Sequence, residues 1–518
     1  MGIAAIGCRG QLGLMAPPVR VEVHLGAGLP SFGIVGLPAA AVRESRDRVR
    51  AALASLGFEF PAGRITVSLA PADLPKQGGR FDLPIALGIL LASGQLIPAG
   101  EGREVIAAGE FYGELSLNGD LLPVRGLVPA AAQAAREQRA MVVPAANLAE
   151  AQVVRHPRVH GAGSLREVCD WLQHGPRDAG PARFTPAGSV SRQAAQAVAL
   201  DLADVRGQLL PKRALLIAAA GAHSLLMSGP PGSGKTMLAQ RLAGLLPPLT
   251  PDEALEVAAI ASVSGTGFDP QHFGERPFRS PHHSASAPAL VGGGTLARPG
   301  EVSLAHRGVL FLDELPEFGR RVLETLREPL ENGCVVIARA RAQSQYPARF
   351  QMVAAMNPCP CGWLGDAGDV CRCTPAQVEQ YRARVSGPLL DRIDLFVDVG
   401  RVPVADLAGG LLPARPEGPC SAALATQVAA VRERQQHSRG CLNSQLAGRA
   451  LEACANLSPA ARDLLARTFE QLRLTARSWH RVLRVARTIA DLEDSDTIEP
   501  AHAAEAVQFR RGAIGGRG

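Results

Sequence analysis

The chain has 518 residues, 47% of them hydrophobic and 20% charged, a balance that excludes wholesale disorder. At ~150 residues per domain this length predicts about three domains, with core enough to fold without disulfides or metal. A net charge of +6, from 54 basic and 48 acidic residues, permits a nucleic-acid partner without arguing for one. No apolar run reaches the ~18 uncharged residues of a helical membrane span, so no membrane partner is expected. The start, MGIAAIGCRGQLG, has neither a basic region nor a long apolar core. A secretory signal is therefore not expected, and the expected compartment is the cytoplasm.

Residues 1–168 alternate short β-like runs, at 19–25, 64–69, 105–110 and 141–144, with apolar helical stretches. This predicts an N-terminal α/β domain. A linker is expected over 169–190, where HGPRDAGPARFTPAG (174–188) has Gly and Pro but no periodicity. A central nucleotide-type α/β core is expected over 191–402. A second linker follows at 403–420, and 421–518 reads as a helical lid.

Within the core, the apolar run 225–227 precedes Gly229, Pro230, Pro231, Gly232, Ser233, Gly234, Lys235 and Thr236, and a helical pattern follows. The spacing G-x-x-x-x-G-K-T is that of a phosphate-binding loop. Its glycines let backbone N–H groups turn towards phosphate oxygens, and the helix N-terminus adds positive potential. Lys235 is one of only three lysines in the chain, with Lys76 and Lys212, so its place in the motif is informative. It is expected to reach the β/γ-phosphates of ATP, with the Thr236 hydroxyl on Mg²⁺.

Some 75 residues further on, roughly the usual P-loop interval, the apolar strand 308–312 ends in Asp313 and Glu314. Two carboxylates at a strand tip suit nucleotide hydrolysis, Asp313 towards Mg²⁺ and Glu314 towards the attacking water. A third strand, 350–356, ends in Asn357, either a polar contact for the γ-phosphate or a turn former before Pro358. Between these strands, CVVIARARAQSQYPARFQ (334–351) alternates as a β-hairpin does, with Arg339 and Arg341 at its tip. Such arginines suit phosphate contacts, or serve as strand-edge charges that deter aggregation.

Ten cysteines in a chain of this expected compartment do not predict a disulfide framework. Four cluster as Cys359-Pro-Cys361 and Cys371-Arg-Cys373. They can form a tetrahedral structural Zn²⁺ site or remain reduced and unligated; C-x-C is tighter than the usual zinc spacing. The other six read as small buried hydrophobes.

The stretches ADLPKQGGRFDLPIALGIL (72–90), FRSPHHSASAPALVGGG (278–294), LFLDELPEF (310–318), AAMNPCPCG (354–362), SGPLLDRIDL (386–395) and RVARTIADLE (484–493) resemble the magnesium-chelatase-like family of AAA+ ATPases. That family is similar to other AAA+ proteins of the helix-2-insert type, including MCM helicases. The resemblance implies ATP and Mg²⁺, with Asn357 as sensor 1 and Arg392 as an arginine finger reaching a neighbouring subunit. A finger in trans implies a homo-hexamer. Sensor 2 would be Arg477, with Arg481 as the second choice, and the other arginines of 475–493 would form a solvated or interdomain face. Val205, Gly207 and Gln208 would lie against adenine. The insertion 278–294, with a Gly/Ser/Pro/His content unsuited to a packed core, would project into a central channel. Arg339 and Arg341 would touch the DNA backbone. Residues 75–89 and 110–147 also resemble a Lon-protease-like domain of the ribosomal S5 domain 2 type. Its serine position falls on Arg80 and its lysine position on Val128, neither of which can do that chemistry, so peptidase activity is rejected.

The resemblance thus implies a hexameric DNA motor for unwinding and branch migration of single-stranded and branched DNA. It would help donor DNA integrate by homologous recombination in natural transformation, with a recombinase as a candidate partner. The alternative is a chelatase-type or unfoldase motor that remodels a protein.

Overall fold

The computed structural model describes residues 2–156, 158–175, 200–294, 297–339, 342–365, 371–402, 419–472 and 475–511. An N-terminal sheet of seven strands runs in the order Ser31–Val35, Arg64–Ala70, Pro18–Gly26, Gly2–Arg9, Glu110–Phe111, Met141–Pro144, Val159–Ala162. The middle strands alternate inward Val19, Val21 and Val23 with outward residues, the period-2 pattern of a half-buried strand. Helix Asp82–Ala92 is buried from Asp82 through Leu90, as an all-round apolar helix must be. Gly88 sits where a Cβ would come within 2.5 Å of Val23, which brings this helix close to the sheet.

Three of the four expected early strands form. The fourth, 105–110, is a helix, Glu101–Ala108, followed by the two-residue strand Glu110–Phe111. Glu101 and Glu104 favour the positive end of that helix, and Gly109 closes it, so the apolar residues read as strand belong to one helix face. Helix Leu165–His174 carries buried Leu172 past residue 168. The rest of the linker expected at 169–190 lies outside the described residues from 176, as do 403–418 of the second.

The central sheet is all parallel, in the order Phe278–Arg279, Val309–Leu312, Gln351–Met356, Leu225–Ser228, Leu395–Asp398. Its strands are continuous apolar runs because both faces are covered. Leu225, Met227, Phe311, Val353 and Ala355 face the core shared with the C-terminal helices. Leu226, Leu310, Leu312, Met352 and Ala354 face the opposite core. Helices Ser421–Arg439, Gly448–Ala455, Pro459–Leu472, Ala476–Leu492 and Pro500–Arg511 make the C-terminal layer.

Two further expectations are corrected. The stretch 278–294 is not excluded from packing: Phe278–Arg279 is an edge strand, Phe278 stacks on Phe311 at 6.0 Å, and Leu290 is fully buried. Its small residues serve a loop whose two apolar anchors reach the core. Arg487 is not on a solvated face but buried, with Nε on the Asp491 carboxylate at 3.0 Å. Among the six scattered cysteines, Cys8 and Cys169 are buried, whereas Cys420 is exposed at a helix N-terminus.

Candidate nucleotide site and arginine face

The parallel sheet brings three strand tips together. Ser228 leads into the phosphate loop, Leu312 into Asp313, and Met356 into Asn357, with neighbouring registers Ser228↔Met356 and Leu312↔Ala354. Ligands of open α/β sheets bind at this carboxyl end.

The loop is built for a backbone cradle. A Cβ at Gly229 would stand 2.1 Å from the Val399 carbonyl, and Gly232 and Gly234 have φ of 75° and 92°. Helix Lys235–Leu245 starts at the end of the loop. Lys235 Nζ donates to the carbonyls of Gly229 (2.7 Å) and Pro230 (2.9 Å) and to Asn357 Oδ1 (3.2 Å). Burial pushes its pKa down, opposed by the charges of Asp313 and Glu314. Ser233 Oγ is buried with no hydrogen-bond partner among the described residues, as a donor meant for a bound oxyanion would be. Thr236 Oγ1 donates to Asp313 Oδ2 at 2.7 Å, so the two oxygens suited to Mg²⁺ are already adjacent. Hard oxygen donors beside a phosphate cradle fit that ion.

Glu314 has a left-handed backbone (φ 52°), its N–H on Asp313 Oδ1, and an exposed carboxylate. His283 Nδ1 lies 3.2 Å from Glu314 Oε2. Sequence reading missed this contact; the signal was the His-His pair inside a stretch assigned wholly to a channel insertion. Val205 is buried, and Gln208 Nε2 donates to the Gly400 carbonyl at 2.6 Å. The segment 205–208 therefore flanks the same strand end as Val399 and the phosphate loop.

Arg392 and Arg477 lie elsewhere. Ser224 Oγ donates to the Arg392 carbonyl at 2.9 Å, which fixes Arg392 at the start of the strand that leads to the loop. A four-residue strand spans about 13 Å, so the Arg392 backbone lies at the other end of the strand from its own phosphate loop. Arg392 and Arg477 line one small cleft with Glu331, Asp391, His480, Arg481 and Arg484. Arg392 donates to the Pro388 carbonyl at 2.6 Å and pairs with Glu331, while its buried Nε has no partner among the described residues. Arg477 is exposed. Arg481 is committed internally, to Asp394 Oδ1 at 2.5 Å and the Arg392 carbonyl at 3.0 Å.

Cys359, Cys361, Cys371 and Cys373 converge with all four sulfurs within 4.8 Å of one another. The Cys359–Cys361, Cys359–Cys371 and Cys361–Cys371 sulfurs stand 3.3, 3.7 and 3.6 Å apart, and no disulfide joins them. Four thiolates 2.3 Å from Zn²⁺ in a tetrahedron stand about 3.8 Å apart, so the set fits that ion. Gly362, in the same knuckle, packs so closely on Pro231 that a Cβ would come within 2.6 Å.

The hairpin forms as expected, Cys334–Arg339 paired with Ala342–Pro347. Arg339 closes the ladder opposite Ala342, and Arg341 lies outside the described residues. Val128 is buried against Val153 and Ala258, a packing residue between the N-terminal and central layers.

A phosphate loop, paired carboxylates and a polar strand tip on a parallel sheet, followed by a helical layer, define a P-loop ATPase of the AAA+ type. Family comparisons match "Magnesium chelatase, subunit ChlI" over residues 201–407, "Subunit ChlI of Mg-chelatase" over 21–147 and the "subunit ChlI C-terminal" region over 418–510. The chain is 46% identical over 514 residues to competence protein ComM of Haemophilus influenzae, covering 98% of each chain. It is also 46% identical over 515 residues to the uncharacterized protein YifB of Salmonella typhimurium, covering 98% of this chain and 97% of that one. A magnesium-chelatase 67 kDa subunit of Chlorobaculum parvum is 26% identical over 189 residues, 35% of this chain and 27% of its own. The protein belongs to the ComM/YifB family of magnesium-chelatase-like AAA+ proteins, a membership that implies ATP hydrolysis.

Proposed function

We propose that this chain is a hexameric ATPase that couples ATP hydrolysis to movement along single-stranded and branched DNA. One observation carries the reading: Arg392 and Arg477 share a cleft at the amino end of the sheet strands, opposite the carboxyl end where the loop of their own chain lies. Arginines so placed serve a neighbour's nucleotide, and a closed ring gives every protomer such a neighbour. Lys235 and the loop N–H groups bind the β/γ-phosphates of ATP. Thr236 and Asp313 hold Mg²⁺, which neutralises phosphate charge when bound. Glu314 orients the lytic water, Asn357 contacts the γ-phosphate, and the neighbour's Arg392 stabilises the transition-state charge. The residues at 205–208 flank the adenine. The cysteine cluster holds a structural Zn²⁺ that braces the loop through Gly362. Arg339 and Arg341 contact DNA phosphates without reading sequence. The N-terminal domain is a degenerate Lon-protease-like fold, with Arg80 and Val128 where the dyad would be.

The name of the Haemophilus relative supports a role in competence, and the family resemblance narrows this to branch migration during donor DNA integration, with a recombinase as partner. No described helix is long and apolar enough to cross a membrane, in keeping with action in the cytoplasm. The rival, a chelatase-type or unfoldase motor, draws on the magnesium-chelatase family matches and on a relative that matches about a third of the chain. The test is branch migration on a synthetic four-way junction with ATP, with Lys235→Ala as control. Wild-type protein should convert the junction and form hexamers. A monomer in the presence of nucleotide and junction, or ATPase activity raised by a protein and not by DNA, overturns the reading.

A further inference from the structure

A cavity of about 1180 Å³ opens between the N-terminal layer and the ATPase core, away from the nucleotide loop. The N-terminal layer gives it Arg43, Lys76, Arg80 and Arg125; the core gives it Arg298 beside Ser344 and Tyr346 of the hairpin strand. Five cationic groups thus face two carboxylates, Asp73 and Glu114. Arg43, Arg125 and Arg298 form no ion pair among the described residues. Arg80 is buried, yet its guanidinium donates only to neutral acceptors: the Arg9 carbonyl (3.4 Å), Gln11 Oε1 (2.9 Å) and the Arg125 carbonyl. No carboxylate is hydrogen-bonded to it; burial pushes its pKa down, and the charge of buried Glu150 opposes that only in part. Lys76 is likewise buried, with Nζ on the Pro71 carbonyl.

A guanidinium buried with no carboxylate hydrogen-bonded to it is costly, and an anion in the cavity lowers that cost. Guanidinium forks on two walls match phosphate oxygens, and their spread exceeds what one carboxylate needs. The volume exceeds the ~300–1,000 Å³ of most small-ligand pockets. We propose that this cavity is a second phosphate-binding site, clamped between Arg80 and Arg125 on one side and Arg298 on the other. The ligand phosphates come from a nucleic-acid strand or from a free nucleoside polyphosphate. Because Ser344 and Tyr346 belong to the hairpin whose tip carries Arg339, occupancy would tie the N-terminal layer to the hairpin. The strand source rests on the DNA-motor reading; the nucleotide source does not.

The test compares full-length wild type, Arg125→Gln/Arg298→Gln, and the distant surface control Arg20→Gln. Binding of a fluorescent 20-nucleotide single strand is titrated across salt concentrations, and ATP stoichiometry is measured by calorimetry. A strand in the cavity predicts at least tenfold weaker binding and a log–log salt slope shallower by about 1.4 for two lost contacts. A nucleotide in the cavity predicts an unchanged strand titration but loss of a second ATP equivalent per chain. If neither measurement differs between the double variant and Arg20→Gln, the proposal is overturned. Wild type that binds no strand but two ATP equivalents, one lost in the double variant, retires the DNA reading and keeps this site.

Discussion

Arg392 and Arg477 come from separate segments, a turn before the last sheet strand and the start of a C-terminal helix, yet they line the same cleft. The joint between those segments is made by Arg481, which binds both the Arg392 carbonyl and Asp394. Arg481, the second choice for sensor 2, is therefore bound within the chain, where it ties the C-terminal helix to the turn that carries Arg392. The cleft gathers four arginines and His480 against Glu331 and Asp391, with no residue of the phosphate loop in its lining.

This arrangement predicts complementation between two dead variants. Arg392→Ala should keep ATP binding and lose at least ~100-fold in turnover, because removal of an arginine finger costs about 10³–10⁵. Lys235→Ala should lose ATP binding. Mixed, they should regain activity at interfaces that join an intact loop to an intact finger. ATPase assays over mixing ratios decide, and no recovery at any ratio would mean that Arg392 acts elsewhere.

Glu314 has an exposed carboxylate held at a left-handed turn, with His283 at 3.2 Å. Glu314→Gln should therefore bind ATP with unchanged affinity and hydrolyse it at least ~100-fold more slowly, a loss typical of a general base. Asp313→Ala should instead raise the Mg²⁺ concentration needed for half-maximal turnover. Equal loss of nucleotide binding in both variants would contradict this division of roles.

The nucleotide site was legible because its elements are local: loop, strand tips and the helix after Lys235 are each set by contiguous residues. The arginine cleft and the His283 contact were not, because they arise from packing between segments distant in sequence. Helix Glu101–Ala108 misled for a different reason. Its eight residues are too few to separate a period of 3.6 from a period of 2. Arg487 misled because an amphipathic pattern marks charged residues as outward, whereas Asp491, one turn later, lets this one be buried.

The described hairpin ladder ends at the pair Arg339↔Ala342. Arg339→Ala/Arg341→Ala should weaken DNA binding tenfold or more and flatten its salt dependence, with basal ATP hydrolysis within about twofold of wild type. Fluorescence anisotropy and an ATPase assay without DNA measure the two effects. Unchanged DNA affinity would assign these arginines to deterring edge pairing.

Four convergent sulfurs predict about one zinc per chain in protein purified without chelator. Cys371→Ser/Cys373→Ser should remove it and lower ATP turnover, because the knuckle's Gly362 rests on Pro231 of the phosphate loop. Elemental analysis below about a tenth of an equivalent would leave the cluster as reduced thiols.

Asp394 gives the pH prediction. It is fully buried, and burial alone would raise its pKa, but His223 at 3.2 Å and the charges of Arg481 and Arg484 outweigh that and hold it well below the carboxylate range. A carboxyl group with a folded pKa below its unfolded value stabilises the fold fully above the unfolded value, ~3.9. That contribution erodes as pH falls below it and is gone beneath the folded value. Asp394→Asn leaves the partly buried Arg481 without its counter-charge and should cost about 2 kcal/mol at pH 7. Since His223 also binds Thr488 at 2.7 Å, the loss should appear in the transition that separates the C-terminal helices from the sheet. Thermal melts of both proteins from pH 8 to 3 should show a constant gap down to about pH 4 and a narrowing gap below it. A gap that widens on acidification would reverse the sign of this linkage, and with it the place of Asp394 as the counter-charge of Arg481.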